Sequence, residues 1–301
     1  MTKWIRGCVC AGALALGLCA ARAQTLTGWQ DEWLARFNGD RARSGAPPLR
    51  LSPVLMQVAQ QQAEEMARDS RRFETLSVAT VSEGLRRAGY SAHDWRETAM
   101  IDTVRSNVRS GASSGAALEG RFRDLGVGSA IRTDGFRLYV FLFGEHQGDY
   151  FASATAGLSD RQRLAAEMLA RVNDVRRRSG MPPMVRNVLL DRLSQEHAED
   201  MLARSYFGHR TPDGLGPSDR AWVGGYGAGI GENLVEQRFS VPEALKAWLD
   251  SPEHRRNILD PGCREMGLGV AVGGGYDAAR GAYRVVWVQS VGRGEGQSRG
   301  K

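Results

Sequence analysis

Asn173 to Ser205 reads NDVRRRSGMPPMVRNVLLDRLSQEHAEDMLARS, and Asn38 to Ser70, 135 positions earlier and without a gap, reads NGDRARSGAPPLRLSPVLMQVAQQQAEEMARDS. Asn38, Arg41, Arg43, Ser44, Gly45, Pro47, Pro48, Leu55, Gln60, Ala63, Glu64, Met66 and Ser70 all return as the same residue type in the later stretch. The register continues with small insertions: Gly89-Tyr90 falls on Gly225-Tyr226, and Leu125-Gly126-Val127-Gly128 on Met266-Gly267-Leu268-Gly269. Both copies close on an apolar run, Leu138 to Phe143 in the first and Val285 to Val288 in the second. Solenoid repeats have periods of roughly 20 to 50 residues, and this one is far longer. Each copy is therefore expected to be a domain of ordinary size with its own core.

Around the copies, Lys3 and Arg6 precede an apolar stretch from Val9 to Ala20, and Ala21-Arg22-Ala23 has the small-x-small pattern of a signal-peptidase site. The expected organisation is a signal peptide over 1–23, a first copy over 24–150, a linker over 151–160, a second copy over 161–293 and a disordered tail over 294–301. That places the mature chain outside the cytoplasm, secreted or periplasmic. Lipidation at Cys19 is disfavoured by the bulk of Leu18 before it. No other apolar run approaches the ~20 residues that span a bilayer, so no transmembrane segment is expected in the mature chain. Three of the four cysteines (Cys8, Cys10, Cys19) lie in the leader, which leaves Cys263 without an internal disulfide partner and reads it as a small buried filler. The formal charge of +6 comes from arginines spread along helical stretches, not from a basic patch interleaved with aromatics, which argues against nucleic acid as a partner.

Within the second copy, Leu164, Met168, Leu169, Val172 and Val175 recur at helical spacing, and Gly180 with Pro182-Pro183 stops that helix. A second helix is expected from about Asn187 to Arg204, with His197 on its apolar stripe beside Leu190, Leu193 and Met201. A histidine there reads first as a core residue bonded through one ring nitrogen to a backbone carbonyl. Gly208 to Gly231 reads as a long irregular loop carrying His209, Asp213, Asp219 and Gly231-Glu232-Asn233. Ser240-Val241-Pro242-Glu243 has the form of a capping box, and Ser251-Pro252-Glu253 opens a short helix with an N-cap, a proline and an acid. Those tasks occupy Glu243 and Glu253. His254 has no such local task. The alternating glycines Gly225, Gly227, Gly229 and Gly231 open no helix after a strand, so they do not suggest a dinucleotide site. Ser251 with His254 lacks the nucleophile elbow of a serine hydrolase.

Gly208-His209, Gly231-Glu232-Asn233, the run Ala247-Trp248-Leu249-Asp250-Ser251-Pro252-Glu253-His254-Arg255-Arg256-Asn257-Ile258-Leu259 and Gly267-Leu268-Gly269, in that order, strongly resemble the bacterial branch of the CAP superfamily of SCP-like extracellular proteins. The resemblance covers Leu164 to Gly292 and extends more weakly to the first copy. It implies an α+β fold, two α-β-α sandwiches each with a small antiparallel sheet between helices. It also implies a cleft lined by two histidines and two acids. Carried over by position, His209, Glu232 and His254 match the cleft. Asp250 is the expected fourth residue, chosen over Glu243 and Glu253 because caps occupy those two.

In the first copy the alignment sets Glu74 at the position of His209, Arg96 or Glu97 at that of Glu232, and Ser113 at that of His254. The histidines are lost there, and this copy is expected to pack, present or bind a protein partner.

The resemblance suggests that the cleft of the second copy binds a small lipid-like or cell-envelope ligand. Two imidazoles and a carboxylate also suit a divalent metal such as zinc, with His209, Glu232 and His254 as ligands. The alternatives are a metal- or histidine-dependent hydrolase of envelope material or peptides, with the same three residues catalytic, and a non-catalytic extracellular scaffold. Binding without catalysis is the favoured expectation.

Overall fold

A computed structural model describes residues 13–68, 78–102, 115–277 and 282–294. The chain divides into two compact units, Met1–Tyr150 and Phe151–Lys301. The first contains α1 (Ala13–Ser44), β1 (Arg50–Leu51), α2 (Pro53–Arg68), α3 (Val78–Arg87), β2 (Ala92–Asp102), α4 (Gly115–Leu118), β3 (Asp124–Ile131) and β4 (Arg137–His146). Helix α5 (Gln147–Thr155) straddles the division. The second unit contains α6 (Arg161–Arg178), β5 (Val185–Arg186), α7 (Val188–Ala203), α8 (Pro217–Val223), β6 (Ile230–Glu236), α9 (Val241–Asp250), α10 (Pro252–Leu259), β7 (Glu265–Asp277) and β8 (Ala282–Gly292).

The two sheets share one topology, β1-β3-β4-β2 and β5-β7-β8-β6. The three long strands of each are antiparallel, as expected, while the two-residue strands β1 and β5 pair in parallel with β3 and β7. Strand alternation turns the two faces of the second sheet to different helices. Met266, Leu268, Val270, Val285 and Trp287 join a core with Leu164, Met168, Val172 and Trp248 from α6 and α9. Val286 and Val288 face Ala198 and Met201 of α7. The result is the expected α-β-α sandwich.

The repeated residues of the opening stretch prove to be structural. Asn38 and Asn173 each exchange two hydrogen bonds with the backbone eleven residues on, at Leu49 and Met184. Gln60 and Gln195 do the same with Ser129 and Val270, so a side chain takes the place of a neighbouring strand. Arg41 and Arg176 are fully buried, and each spends its guanidinium on four backbone carbonyls: Pro47, Ala117, Glu119 and Phe122 in one unit, Pro182, Ile258, Asp260 and Cys263 in the other. The paired glycines have an equally direct cause. A Cβ on Gly267 would lie 2.2 Å from the backbone of Leu190, and one on Gly269 would lie 2.3 Å from that of Ser194. Helix α7 thus rests on the bare backbone of β7, and α2 rests likewise on Gly126 and Gly128.

Three local expectations need correction. Segment 151–160, read as a linker, is helical in part, and its Phe151 and Leu158 are buried in the second core, where Phe151 stacks on Tyr283 at 4.8 Å. The loop from Gly208 to Gly231 is interrupted by α8, which starts at Pro217 and holds the Gly216 amide on the Asp219 carboxylate. Ser251 does precede α10 but makes no capping hydrogen bond with its side chain, and Glu243 accepts from the Phe239 amide, one residue before the cap. The signal-peptide segment 1–12 and the tail from 295 lie outside the described residues. Among the described residues no helix is long and apolar enough to cross a membrane.

Candidate functional site

Glu232 sits on β6, opposite Ser290 of β8, on the sheet face that α7 and α8 cover. Its side chain is 2% exposed, and both carboxylate oxygens are engaged. Oε1 accepts from His209 Nδ1 at 2.8 Å, and Oε2 accepts from Arg220 at 2.6 Å. A buried carboxylate needs such partners, because burying an unpaired charge is costly. Arg220, on α8, also donates to the His209 and Leu215 carbonyls, so one guanidinium ties the loop that carries His209 to the strand that carries Glu232.

Because the carboxylate can only accept, the proton between the two residues belongs to His209 Nδ1. The His209 side chain is half exposed, and Nε2 is the ring nitrogen that Glu232 does not engage. His254 stands on α10, close enough to His209 for the imidazoles to influence each other. Burial first, and His209 second, lower its pKa below the ordinary histidine value, so it is held neutral.

Two asparagines fix His254 against β6. Asn257, one turn after His254, donates to the Glu232 carbonyl and to Asn233 Oδ1. Asn233, fully buried, donates in turn to the His254 carbonyl and to Gln289. The Asn of the Gly-Glu-Asn motif and the Asn of the His-Arg-Arg-Asn motif thus form one network that holds α10 on the strand beside Glu232. A Cβ on Gly231 would come within 3.1 Å of Asn257, which explains the glycine before the acid.

Behind Glu232 lies His197, 2% exposed, with Nε2 donating to the Gly208 carbonyl at 3.1 Å and lying 3.8 Å from Glu232 Oε1. The expectation of a core histidine on a carbonyl is met. Burial lowers its pKa. Its other nitrogen is 3.4 Å from the Tyr206 hydroxyl, which donates to Asp200.

The structure brings His209 and Glu232 into contact and holds His254 beside them. Asp250 makes no bond with this group: at the end of α9 it is exposed and forms an i,i+4 pair with Lys246 at 2.6 Å. Arg220 is the site residue that sequence reading missed. Its signal was the helix start Pro217-Ser218-Asp219 inside an otherwise glycine-rich segment. As placed, the group offers a metal two imidazole nitrogens, because Glu232 is committed to Arg220 and His209. Among the described residues no three of His, Cys, Asp and Glu are arranged to hold a metal ion. As placed, the described residues do not form a three-donor zinc site.

In the first unit, strand register settles which residue stands where Glu232 does. Gly144 and Gly292 are equivalent, since a Cβ on either would meet a tyrosine hydroxyl, of Tyr90 or of Tyr226, within 2.4 Å. Glu232 pairs with Ser290, two residues before Gly292, and Glu97 pairs with Leu142, two residues before Gly144. Glu97, not Arg96, therefore holds the position, and the acid of the cleft is retained. Glu74 and Ser113 lie outside the described residues.

Two units of one topology, the second with a His-Glu-His group on strand, loop and helix, define a tandem α-β-α protein. The model of the cysteine-rich secretory protein family, CAP, matches residues 34–143 and 169–291, and the chain belongs to this family. The chain is 28% identical over 123 residues to the uncharacterized protein YkwD of Bacillus subtilis, covering 40% of this chain and 47% of that one. It thus spans about half the length of that relative. Among solved structures it is similar to an SCP-domain extracellular protein of Bacillus anthracis, with 22% identity, 53% and 52% of the two chains covered and a TM-score of 0.39. An outer surface protein of Borrelia burgdorferi matches at 15% identity, 43% and 92% coverage and a TM-score of 0.37.

Proposed function

We propose that the second unit binds a small lipid-like or cell-envelope ligand through a hydroxyl group at His209 and His254, in a chain exported by its N-terminal leader to the periplasm or beyond. The observation that supports this most is the commitment of Glu232. With its carboxylate spent on Arg220 and on His209 Nδ1, the side chain left to meet a ligand is the His209 imidazole, through Nε2. A hydroxyl suits two imidazoles, because it can donate to one ring nitrogen and accept from another.

The test is native mass spectrometry of the purified chain after equilibration with an envelope lipid extract and with soluble envelope glycan. Wild type is expected to retain a ligand that His209→Ala and His254→Ala both release. Equal retention by all three proteins rejects the reading. Elemental analysis of the same samples addresses the metal alternative: stoichiometric zinc lost with His209→Ala would replace it.

The same geometry favours one second reading, a histidine-dependent hydrolase. An imidazole oriented through Nδ1 by a buried carboxylate is the arrangement of a general base, with Nε2 directed at a bound water or hydroxyl. Turnover of purified peptidoglycan or of a peptide library that disappears with His209→Ala supports it.

A further inference from the structure

The outer edge of β7 is covered for part of its length and then left bare. Strand β5 pairs with Glu265 and Met266. Beyond it, α7 supplies side chains in place of a strand: Asp191 accepts from the Leu268 amide, and Gln195 exchanges two hydrogen bonds with Val270. The Val270 amide and carbonyl therefore point away from β8, and by the two-residue period of a strand those of Val272 do as well. Val285, the β8 partner of Val272, agrees, since its own carbonyl accepts from the Gln237 amide on the β6 side. The next α7 residue at this spacing, Glu199, turns instead to Arg161 and Gln195. Among the described residues no hydrogen bond from another element reaches the Val272 amide or carbonyl.

A groove of about 970 Å3 lies beside this edge. Leu158 lines it from the side of the α6 core and Leu202 from α7, and Val272 between them is 38% exposed. Its charges are matched within the chain, Arg161 with Glu199 and Arg284 with Glu236, which favours a neutral occupant over an ion. Gly274 and Gly275 also line it, and the fold does not require either to be glycine: neither has a positive φ, and a Cβ on either would meet nothing within 4 Å. Bare strand backbone of this kind suits the close approach of another backbone. The first unit differs here. Ile131 stands where Val272 does, because Gln60 bonds Ser129 as Gln195 bonds Val270, and β3 ends there in a turn while β7 runs on to Asp277.

We propose that the edge of β7 at Val272 binds an extended, uncharged segment of another polypeptide, which adds to the sheet as a further strand lying in this groove. An extended backbone offers Val272 a donor and an acceptor together at strand spacing, and its alternate side chains face Leu158 and Leu202. The site is at the opposite edge of the sheet from β6 and Glu232, and it is independent of the ligand reading for His209 and His254.

The full chain is titrated by calorimetry with the capped pentapeptide Thr-Val-Ala-Val-Thr, since main-chain pairing needs only strand-forming side chains. Two isomers carry N-methyl groups on alternate amides, one on the valines and one on the alanine. A strand bonds its neighbour through every second residue, so one isomer is expected to bind at least tenfold more weakly and the other within about twofold of the parent. Val272→Pro removes an edge N–H that the fold does not use, a change tolerated on an edge strand, and is expected to weaken the parent peptide at least tenfold. In wild type, exchange of the Val272 amide hydrogen, followed by NMR, is expected to slow at saturating peptide. Absence of saturable binding, equal effects of the two methylation patterns, unchanged binding in Val272→Pro, or unchanged exchange at Val272 overturns the proposal. The exchange is read in wild type, so the outcome stands even where the variant is unstable.

Discussion

His209 Nδ1 lies 2.8 Å from Glu232 Oε1, and that contact exists in a folded protein because Arg220 holds the other oxygen of the same carboxylate at 2.6 Å. The imidazole on view is thus set by a guanidinium that a ligand in the cleft has no need to touch.

Arg220→Gln tests this dependence. The change strips the charge partner from a carboxylate only 2% exposed and loosens the two carbonyls that Arg220 also holds. Breaking one side of a buried ion pair costs about 3 to 5 kcal/mol, and Arg220 is itself 14% exposed, so about 3 kcal/mol is expected. Urea unfolding followed by tryptophan fluorescence measures it. Glu232→Gln, which removes the buried charge together with its need for a partner, is expected to cost less than Arg220→Gln. The reverse order would show that Arg220 is not there for the charge.

The two units are expected to respond to pH in opposite senses. Burial raises the Glu97 pKa from its ordinary 4.5 to about 7. A carboxyl whose folded value lies above its unfolded value binds its proton more tightly when folded. Its stabilising contribution is therefore complete below about 4.5 and is lost as pH rises to about 7, a change of about 2 to 3 kcal/mol. His197 is shifted the other way, since burial lowers its pKa below 6.5. Its contribution is present above about 6.5 and is lost as pH falls below it. Hydrogen-exchange mass spectrometry resolves peptides of each unit between pH 4.5 and 8. Protection in the first unit is expected to fall with rising pH and to become flat in Glu97→Gln. Protection in the second is expected to fall on acidification, less so in His197→Gln, which copies Gln62. A first-unit profile that Glu97→Gln leaves unchanged would sink the assignment.

Much of this was legible because the signals were local or repeated. The helices from Leu164 and from Asn187 carry their own caps and stops, and the duplication marks the positions that hold each sheet to its helices. Asn173, Gln195 and Arg176 were visible as repeats, but their role was not, because each acts on backbone that lies far along the chain or outside its own element. Arg220 was hidden for a related reason: its partner is twelve residues away across a turn, and charge on a short helix reads as solvated surface. Glu97 could not be separated from Arg96 by alignment, since a one-residue slip leaves sequence similarity almost unchanged while it moves every side chain to the other face of the strand. Asp250 was chosen by eliminating capped acids, a procedure blind to its place at the end of α9, where it is exposed and pairs with Lys246 one turn back.

Arg176→Lys separates charge from geometry at a repeated position. The guanidinium has no acidic partner among its hydrogen bonds and reaches four carbonyls at 2.7 to 3.0 Å in two directions. Desolvation lowers its pKa, and it has no route to water. A lysine keeps the charge but has one nitrogen with three donors, so it leaves buried carbonyls unpaired at about 1 to 3 kcal/mol each. A loss of at least about 3 kcal/mol in the second unit is expected for Arg176→Lys, and a similar loss in the first for Arg41→Lys. Because each arginine serves its own core, exchange protection in the other unit should stay within about 0.5 kcal/mol of wild type.

Gly269→Ala asks whether α7 truly rests on strand backbone. The added Cβ would lie 2.3 Å from the carbonyl carbon and oxygen of Ser194, atoms in mid-helix that have no rotamer by which to move aside. The helix must lift as a body, which disturbs the Gln195 bonds to Val270 and the packing of Ala198 and Met201 on Val286 and Val288. Overpacking of this kind costs about 1 to 3 kcal/mol, and backbone atoms that cannot move aside put this case at the upper end. Gly274→Ala is the control, because a Cβ there meets nothing within 4 Å. The expected result is a large loss of stability for Gly269→Ala, a change near zero for Gly274→Ala, and weaker retention of any cleft ligand in the first variant, since His197 rides on α7 behind Glu232. Similar stability of the two variants would mean that the helix and strand are less closely seated than these contacts require.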